Sequence, residues 1–326
     1  MSKMTRIEIN AHGGPEQMKL VERDLPELKP GQILVRHEAV GVNFIDTYHR
    51  TGLYPLPMPT GLGGEAAGLV EAVGEGVTHV KAGDRVAYCS GPIGSYATHN
   101  IINGATAVLL PTSITAKQAA SCLLKGLTVQ YLIRQIYPVR QGETVLFHAA
   151  AGGVGQIAVQ WLKALGVTVI GTVGSDEKAD LVKALGCDHV INYRTESVPE
   201  RIKEITEGAK LPVVFDGVGK DTFEDSLDCL RPRGLMVSFG NASGAVDGVN
   251  LGILASKGSL MVTRPTLAHF ISTRADLEAA SNDFFAAIAS GAIKIAEPTE
   301  YALADAAKAH MDLQSRKTTG SLVLIP

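Results

Sequence analysis

Over roughly the first 125 residues, apolar positions come in short β-branched runs broken by glycine and proline: Arg6 to Asn10, Ile33 to Val42, Ala66 to Val73, Arg85 to Tyr88 and Ala107 to Leu110. Eight of the 15 prolines fall here. Strands this short, with turn signals this dense, predict an antiparallel, barrel-like β domain. From about Gly126 the period changes. Apolar runs at Thr144 to His148, Thr168 to Thr172, Val190 to Tyr193, Val213 to Asp216, Leu235 to Phe239 and Leu260 to Thr263 alternate with amphipathic stretches such as Gln156 to Leu165 and Lys178 to Leu185. In the first of these stretches Ile157, Val159, Trp161 and Leu162 share the face to be buried. Strand alternating with helix implies a parallel sheet covered on both faces, and six strands complete a doubly wound Rossmann fold. Beyond Pro265 a helix is expected from Arg274 to Ser290, with Leu277, Ala280, Phe284, Phe285 and Ile288 along one face, and then a strand from Gly320 to Pro326. This tail has no core of its own, so it is expected to return to the first domain. The predicted architecture is α/β, with one domain from residues 1–125 and 266–326 and a Rossmann domain from residues 126–265.

Composition agrees with this division. A chain of 326 residues suits two domains at about 150 residues each. The 45% hydrophobic and 19% charged content excludes a disordered chain. Thirty basic against 33 acidic residues give a net charge of -3, which supplies no positive field for nucleic acid or an anionic membrane. Met1 to Gly14 lacks the apolar stretch and cleavage site of a signal peptide, and no apolar run reaches the ~20 residues of a membrane span. Cys89, Cys122, Cys187 and Cys229 are too far apart in sequence for a zinc knuckle or a redox pair, so four free thiols and a cytoplasmic location are expected. The nine histidines show no ligand spacing.

The strongest chemical signal is the passage from the apolar run at Leu146 into Ala149, Ala150, Ala151, Gly152, Gly153, Val154 and Gly155, followed by a helix. Ala150, Gly152 and Gly155 fall at the three glycine positions of the dinucleotide fingerprint. Gly152 lets the backbone approach a pyrophosphate held by the helix amides, and Gly155 allows close packing of helix on strand. Ala150 departs from the pattern. About twenty residues on, where an acid would accept the ribose hydroxyls of NAD, the chain reads Val173, Gly174, Ser175. With that acid missing and Lys178, Tyr193 and Arg194 near, a 2'-phosphate is admitted, which predicts NADPH. Taken singly, Lys178 and Arg194 also read as solvated surface charges.

The segments Gly41 to Tyr48, Gly61 to Gly68 and Gly83 to Val86, with Ala149 to Gly155, resemble the zinc-free quinone oxidoreductase branch of the medium-chain dehydrogenase/reductase superfamily. The resemblance implies a GroES-like catalytic domain beside the Rossmann domain, a homodimer paired through the sixth strand, and NADPH-dependent reduction of quinones. It places Asn43 and Tyr48 beside the nicotinamide, on a loop after the Ile33 to Val42 run. It adds Thr128, Val218, Phe239, Gly240, Arg264 and Arg316 to the cofactor shell. From residue type alone, Asn43 is equally a loop residue satisfying local backbone groups, and Tyr48 a filler at the domain edge. Zinc-dependent members carry Cys where Asn43 stands and His where Gly64 stands, so no metal is expected. A quinone spreads the incoming charge to a phenolate-like oxygen, for which one or two hydrogen bonds suffice. Two other readings remain: reduction of conjugated enones, with Tyr48 as the proton donor, and a structural or RNA-binding role of the zeta-crystallin type.

Overall fold

Residues 3–315 and 318–326 are described in the computed structural model. Two units divide the chain: residues up to Lys125 with Ile271–Phe285 and Ile295–Pro326, and Gly126–Phe270 with Ala286–Lys294. In the first unit the chain runs through β1 (Lys3–Ile9), β2 (Lys19–Asp24), β3 (Gln32–Val42), α1 (Phe44–Thr51), β4 (Thr60–Gly61), β5 (Ala66–Val73), β6 (Arg85–Tyr88), β7 (His99–Asn103) and β8 (Val108–Leu109), then enters α2 (Ala116–Gln130). Strands β2, β1 and β4 form a small sheet in that order. From Gln32 to Ala39 the side chains of β3 alternate between more exposed and buried, as a strand with one face on a core requires, and from Ala39 to Val42 every residue is buried. Ile33, Val35 and Val40 meet Ile7, Leu62, Val70, Val86, Tyr88 and Tyr96 in the core of this unit. Asn43 begins α1 in an extended conformation, Asp46 lies in its first turn, and Gly52 ends it at φ 85°. That is the residue order a short helix needs at its two ends.

The second unit holds β9 (Thr144–Phe147), α3 (Gly153–Ala164), β10 (Thr168–Val173), α4 (Asp176–Ala184), β11 (His189–Asn192), α5 (Val198–Ile205), β12 (Leu211–Asp216), α6 (Phe223–Asp228), β13 (Leu230–Ser238), α7 (Gly252–Ser256), β14 (Met261–Thr263) and α8 (Leu267–Phe270). Its sheet is parallel throughout, in the order β11-β10-β9-β12-β13-β14. This is the doubly wound Rossmann order, and its switch point lies between β9 and β12. Ile157, Val159, Trp161 and Leu162 of α3 are all buried.

The tail continues as α9 (Arg274–Ala289), β15 (Thr299–Ala302), α10 (Ala306–Gln314) and β16 (Leu322–Ile325). Strand β16 pairs antiparallel with β3, setting Leu322 opposite Val42, and pairs parallel with β15. On α9, Leu277, Ala280, Phe284 and Phe285 are buried, whereas Ile288 is only partly so.

Three expectations need correction. The barrel is not closed among the described residues: the large sheet runs β15-β16-β3-β5-β6-β8, with β7 on β3, and ends in two short edge strands. Periodicity reports which face of a strand is covered, not which strands pair, so closure had no signal in the sequence. Strands β2, β4, β7 and β15 were not predicted. In β2 and β15 nearly every side chain is exposed or half-exposed, which removes the alternation on which strand prediction relies. Finally, Asn43 and Tyr48 stand at the cap and in the body of a helix, not on a loop.

Candidate active site

At the carboxyl end of β9 the chain turns through Ala149, at φ 53°, and Gly152 starts α3 without a side-chain cap. The first-turn amides of Gly153, Val154 and Gly155 precede the first helical bond, from Gln156 N–H to the Gly152 carbonyl at 2.9 Å. Such amides carry the positive end of the helix and suit an anion. A Cβ at Gly155 would lie 2.5 Å from the Ala149 oxygen and 2.6 Å from the Ala150 Cα, so only glycine fits. Ala150 is fully buried, and a Cβ at Gly171 of β10 would stand 2.8 Å from its methyl. The departure at Ala150 is accommodated because its neighbour strand gives up a side chain.

At the end of β10 a Cβ on Gly174 would come within 2.5 Å of the Tyr193 hydroxyl, which places Tyr193 against that strand end. Ser175 caps α4, its Oγ accepting from the Lys178 N–H at 3.4 Å. Asp176 accepts from the Asn192 amide at 2.9 Å. The strand end therefore carries no acidic side chain of its own, while the adjacent helix carries Lys178.

Beneath these turns lies a polar network that sequence reasoning missed. Asp216, fully buried at the end of β12, accepts from the Val218 and Gly219 amides at 2.8 and 3.0 Å and from the Thr222 and Ser226 hydroxyls at 2.7 Å each. Ser226 also meets His148 Nε2 at 3.1 Å, and His148 Nδ1 meets Thr172 Oγ1 at 3.0 Å. Burial holds His148 below the usual imidazole range, with the Asp216 and Asp225 carboxylates opposing. The loop bearing Val218 is thus tied to the glycine turn through side chains in the sheet. Phe239 packs on Gly217, where a Cβ would fall 2.8 Å from its ring, and a Cβ at Gly240 would come within 2.3 Å of the Gly217 carbonyl oxygen. Arg264 donates to the Ser238 carbonyl at 3.1 Å. Thr128 is buried on α2. Arg316 lies outside the described residues.

In the first unit the side chain of Asn43 donates to Glu65 at 2.7 Å, and its backbone N–H donates to Asp46 Oδ2 at 2.8 Å. Glu65 is fully buried, accepts from the Leu124 N–H at 2.7 Å and stands 4.0 Å from Lys125. A Cβ at Gly41 would meet the Glu65 carboxylate at 2.4 Å, so glycine on β3 makes room for that charge. Burial raises the Glu65 carboxyl above its usual range, opposed by Lys125 and the Asn43 bond. Burial likewise pushes Asp46 up to about 7. Tyr48, half-buried, packs edge-on to Tyr54 at 5.3 Å. Among the described residues no three His, Cys, Asp or Glu side chains gather as a metal-binding group, and no helix is long and apolar enough to cross a membrane. A signal for Glu65 was present in the sequence: a lone acid within a glycine- and alanine-rich run.

A parallel sheet with a glycine turn at its switch point and a separate glycine-rich, largely antiparallel unit in the same chain define a medium-chain dehydrogenase/reductase. Residues 29–131 match the alcohol dehydrogenase GroES-like domain and residues 153–289 match the zinc-binding dehydrogenase family. Quinone oxidoreductase 1 of Escherichia coli (strain K12) is 57% identical over 326 residues, covering 99% of both chains. The crystal structure of the Escherichia coli quinone oxidoreductase complexed with NADPH superposes with a TM-score of 0.97 at 56% identity, over 99% of this chain and 100% of that one. A 2-haloacrylate reductase from Burkholderia sp is 42% identical over 326 residues, 98% of each chain. The chain belongs to the quinone oxidoreductase family.

Proposed function

We propose that this protein is an NADPH-dependent quinone reductase that works without a metal. The observation that carries the cofactor choice is the end of β10, where Gly174 lies against the Tyr193 hydroxyl, no acid ends the strand itself, and Asp176 in the first turn of α4 is engaged by the Asn192 amide. Gly152, Gly153, Val154 and Gly155 hold the pyrophosphate through backbone amides. Gly174, Ser175, Lys178, Tyr193 and Arg316 take the 2'-phosphate, and Thr128, Ala150, Val218, Phe239, Gly240 and Arg264 complete the cofactor shell. Bound NADPH supplies the reducing equivalents. Asn43 and Tyr48 face the acceptor and donate hydrogen bonds to the oxygen that gains charge. Asn43 has an N–H to spare, since its amide carries two and Glu65 takes one. Metal-free chemistry is supported by Gly64, which has no side chain to offer, and by the engagement of Asn43 with Glu65.

The test is steady-state turnover of 1,4-benzoquinone with NADPH and with NADH, before and after dialysis against a chelator. NADPH preference that survives dialysis is expected. Lys178→Ala should raise the KM for NADPH by about ten- to a hundredfold, the worth of a charge-assisted phosphate contact of about 1.5 to 3 kcal/mol, and leave that for NADH almost unchanged. Equal effects on both cofactors reject the phosphate assignment, and zinc-restored activity rejects the metal-free one. The 2-haloacrylate reductase relative favours a second reading, reduction of an activated carbon–carbon double bond, which also needs a proton delivered to carbon. We further place the protein in the cytoplasm as a homodimer paired through β14.

A further inference from the structure

Four buried polar side chains link α1 to α10 within the first unit, and none belongs to the proposed contacts with cofactor or acceptor. Arg50 Nη1 meets His310 Nδ1 at 3.2 Å, His310 Nε2 meets the Tyr96 hydroxyl at 2.9 Å, and Tyr96 donates to Asp46 Oδ2 at 2.9 Å. All four residues are at most 2% exposed. The direction of the chain follows from valence. A guanidinium only donates, so His310 Nδ1 accepts and Nε2 carries the hydrogen. Nε2–H then donates to the Tyr96 oxygen, which leaves the single phenolic hydrogen for Asp46. Burial beside Arg50 holds His310 down to about 3, which keeps it in this neutral form.

The chain ends on one atom. Asp46 Oδ2 receives both the Tyr96 hydroxyl and the Asn43 backbone N–H, while Oδ1 is buried without a hydrogen-bond partner. The other end of Asn43 is held by Glu65. Arg50 further donates to the Gly13 carbonyl at 3.1 Å and to Gln314 Oε1 at 2.9 Å, at the end of α10. A polar chain in an apolar core adds little stability over apolar groups of the same shape, but it permits only one arrangement of its members. What this one arranges is the first turn of α1.

We propose that Tyr96 is a positioning residue for the acceptor side of the site, setting Asn43 and Tyr48 through Asp46 and taking its own orientation from His310 and Arg50. This rests on the reading that Asn43 and Tyr48 face the quinone. Ionisable groups on every side of the chain are Glu16 near Arg50, and Glu65 and Lys125 near Asp46.

Two measurements on the whole enzyme test it, with Tyr96→Phe as the first variant. Hydrogen–deuterium exchange, which needs no substrate, should quicken about tenfold in residues 43–50 and 306–314 and stay unchanged in β9, β10 and β12. His310→Gln, whose amide can accept from Arg50 and donate to Tyr96, should exchange as wild type does, whereas His310→Leu should behave as Tyr96→Phe. In kinetics, Tyr96→Phe should raise the KM for benzoquinone about tenfold with the KM for NADPH within twofold. Its effect should be smaller in the Asn43→Ala background, because one of the two side chains it positions is gone. Wild-type exchange in residues 43–50, equally fast exchange throughout the chain, or multiplying effects in the double variant would overturn the proposal. If Asn43→Ala and Tyr48→Phe both leave quinone kinetics intact, the acceptor-side reading itself is wrong, and the exchange data separate that failure from this one.

Discussion

Asn43 serves as a helix cap, a partner of Glu65 and the proposed acceptor contact; the last of these came from the family resemblance, while residue type alone offered an Asn satisfying local backbone groups. The reacting centre is best probed at Tyr48. If it donates one neutral hydrogen bond to a quinone oxygen, Tyr48→Phe removes about 0.5 to 1.5 kcal/mol and slows benzoquinone reduction tenfold or less. If it is the obligatory proton donor to an alkenal, the same variant loses on the order of a hundredfold with that acceptor. Assays with both acceptors separate the two, and a hundredfold loss with benzoquinone at unchanged cofactor affinity refutes hydrogen bonding as its whole role. Gly152 and Gly155 could be read from spacing because a missing Cβ leaves a fixed mark in a sequence. Asp46, Tyr96 and His310 could not, since their partners lie 50 and 214 positions apart along the chain.

Elements were legible in proportion to how much of their surface is covered. Strand β5 was placed at both ends, and α9 to within a residue, from apolar periodicity alone. The exposed ribbon β2 gave no such pattern. Strand β14 shows what an apolar run means at an edge. Among the described residues it pairs with β13 alone, and Met261 and Val262 are 52% and 37% exposed. An open edge bearing apolar side chains is an invitation to another strand, and a second copy of β14 would satisfy it. Light scattering at micromolar concentration should give twice the chain mass, and Val262→Pro, which cannot donate to a continued ladder, should shift the protein toward monomer. A monomer in the parent protein rejects the pairing.

At the scale of the whole molecule, buried histidines tie stability to pH. His37 Nδ1 lies 2.7 Å from the Ala97 carbonyl and Nε2 2.9 Å from the Tyr88 hydroxyl, a set that the neutral ring satisfies completely. Burial lowers it from 6.5 to about 4. Between those values the unfolded chain binds a proton that the folded one refuses, so this contribution is intact above 6.5 and is lost as pH falls through about 4. It amounts to about 3 kcal/mol. Asp46 acts with the opposite sign, since the folded protein keeps its proton up to about 7, and its contribution declines as pH rises from 3.8. Urea melts of wild type and His37→Gln should therefore show a stability gap that narrows by roughly 3 kcal/mol from pH 7 to pH 4. A constant gap rejects this account. The four cysteines have a chemical consequence of their own. All are buried, and burial raises every thiol, Cys187 to about 12. Quinones are soft electrophiles that arylate thiolates fastest, and a protein whose thiols stay protonated and walled off withholds that nucleophile from them. Such an enzyme can turn over an arylating substrate repeatedly without becoming its adduct.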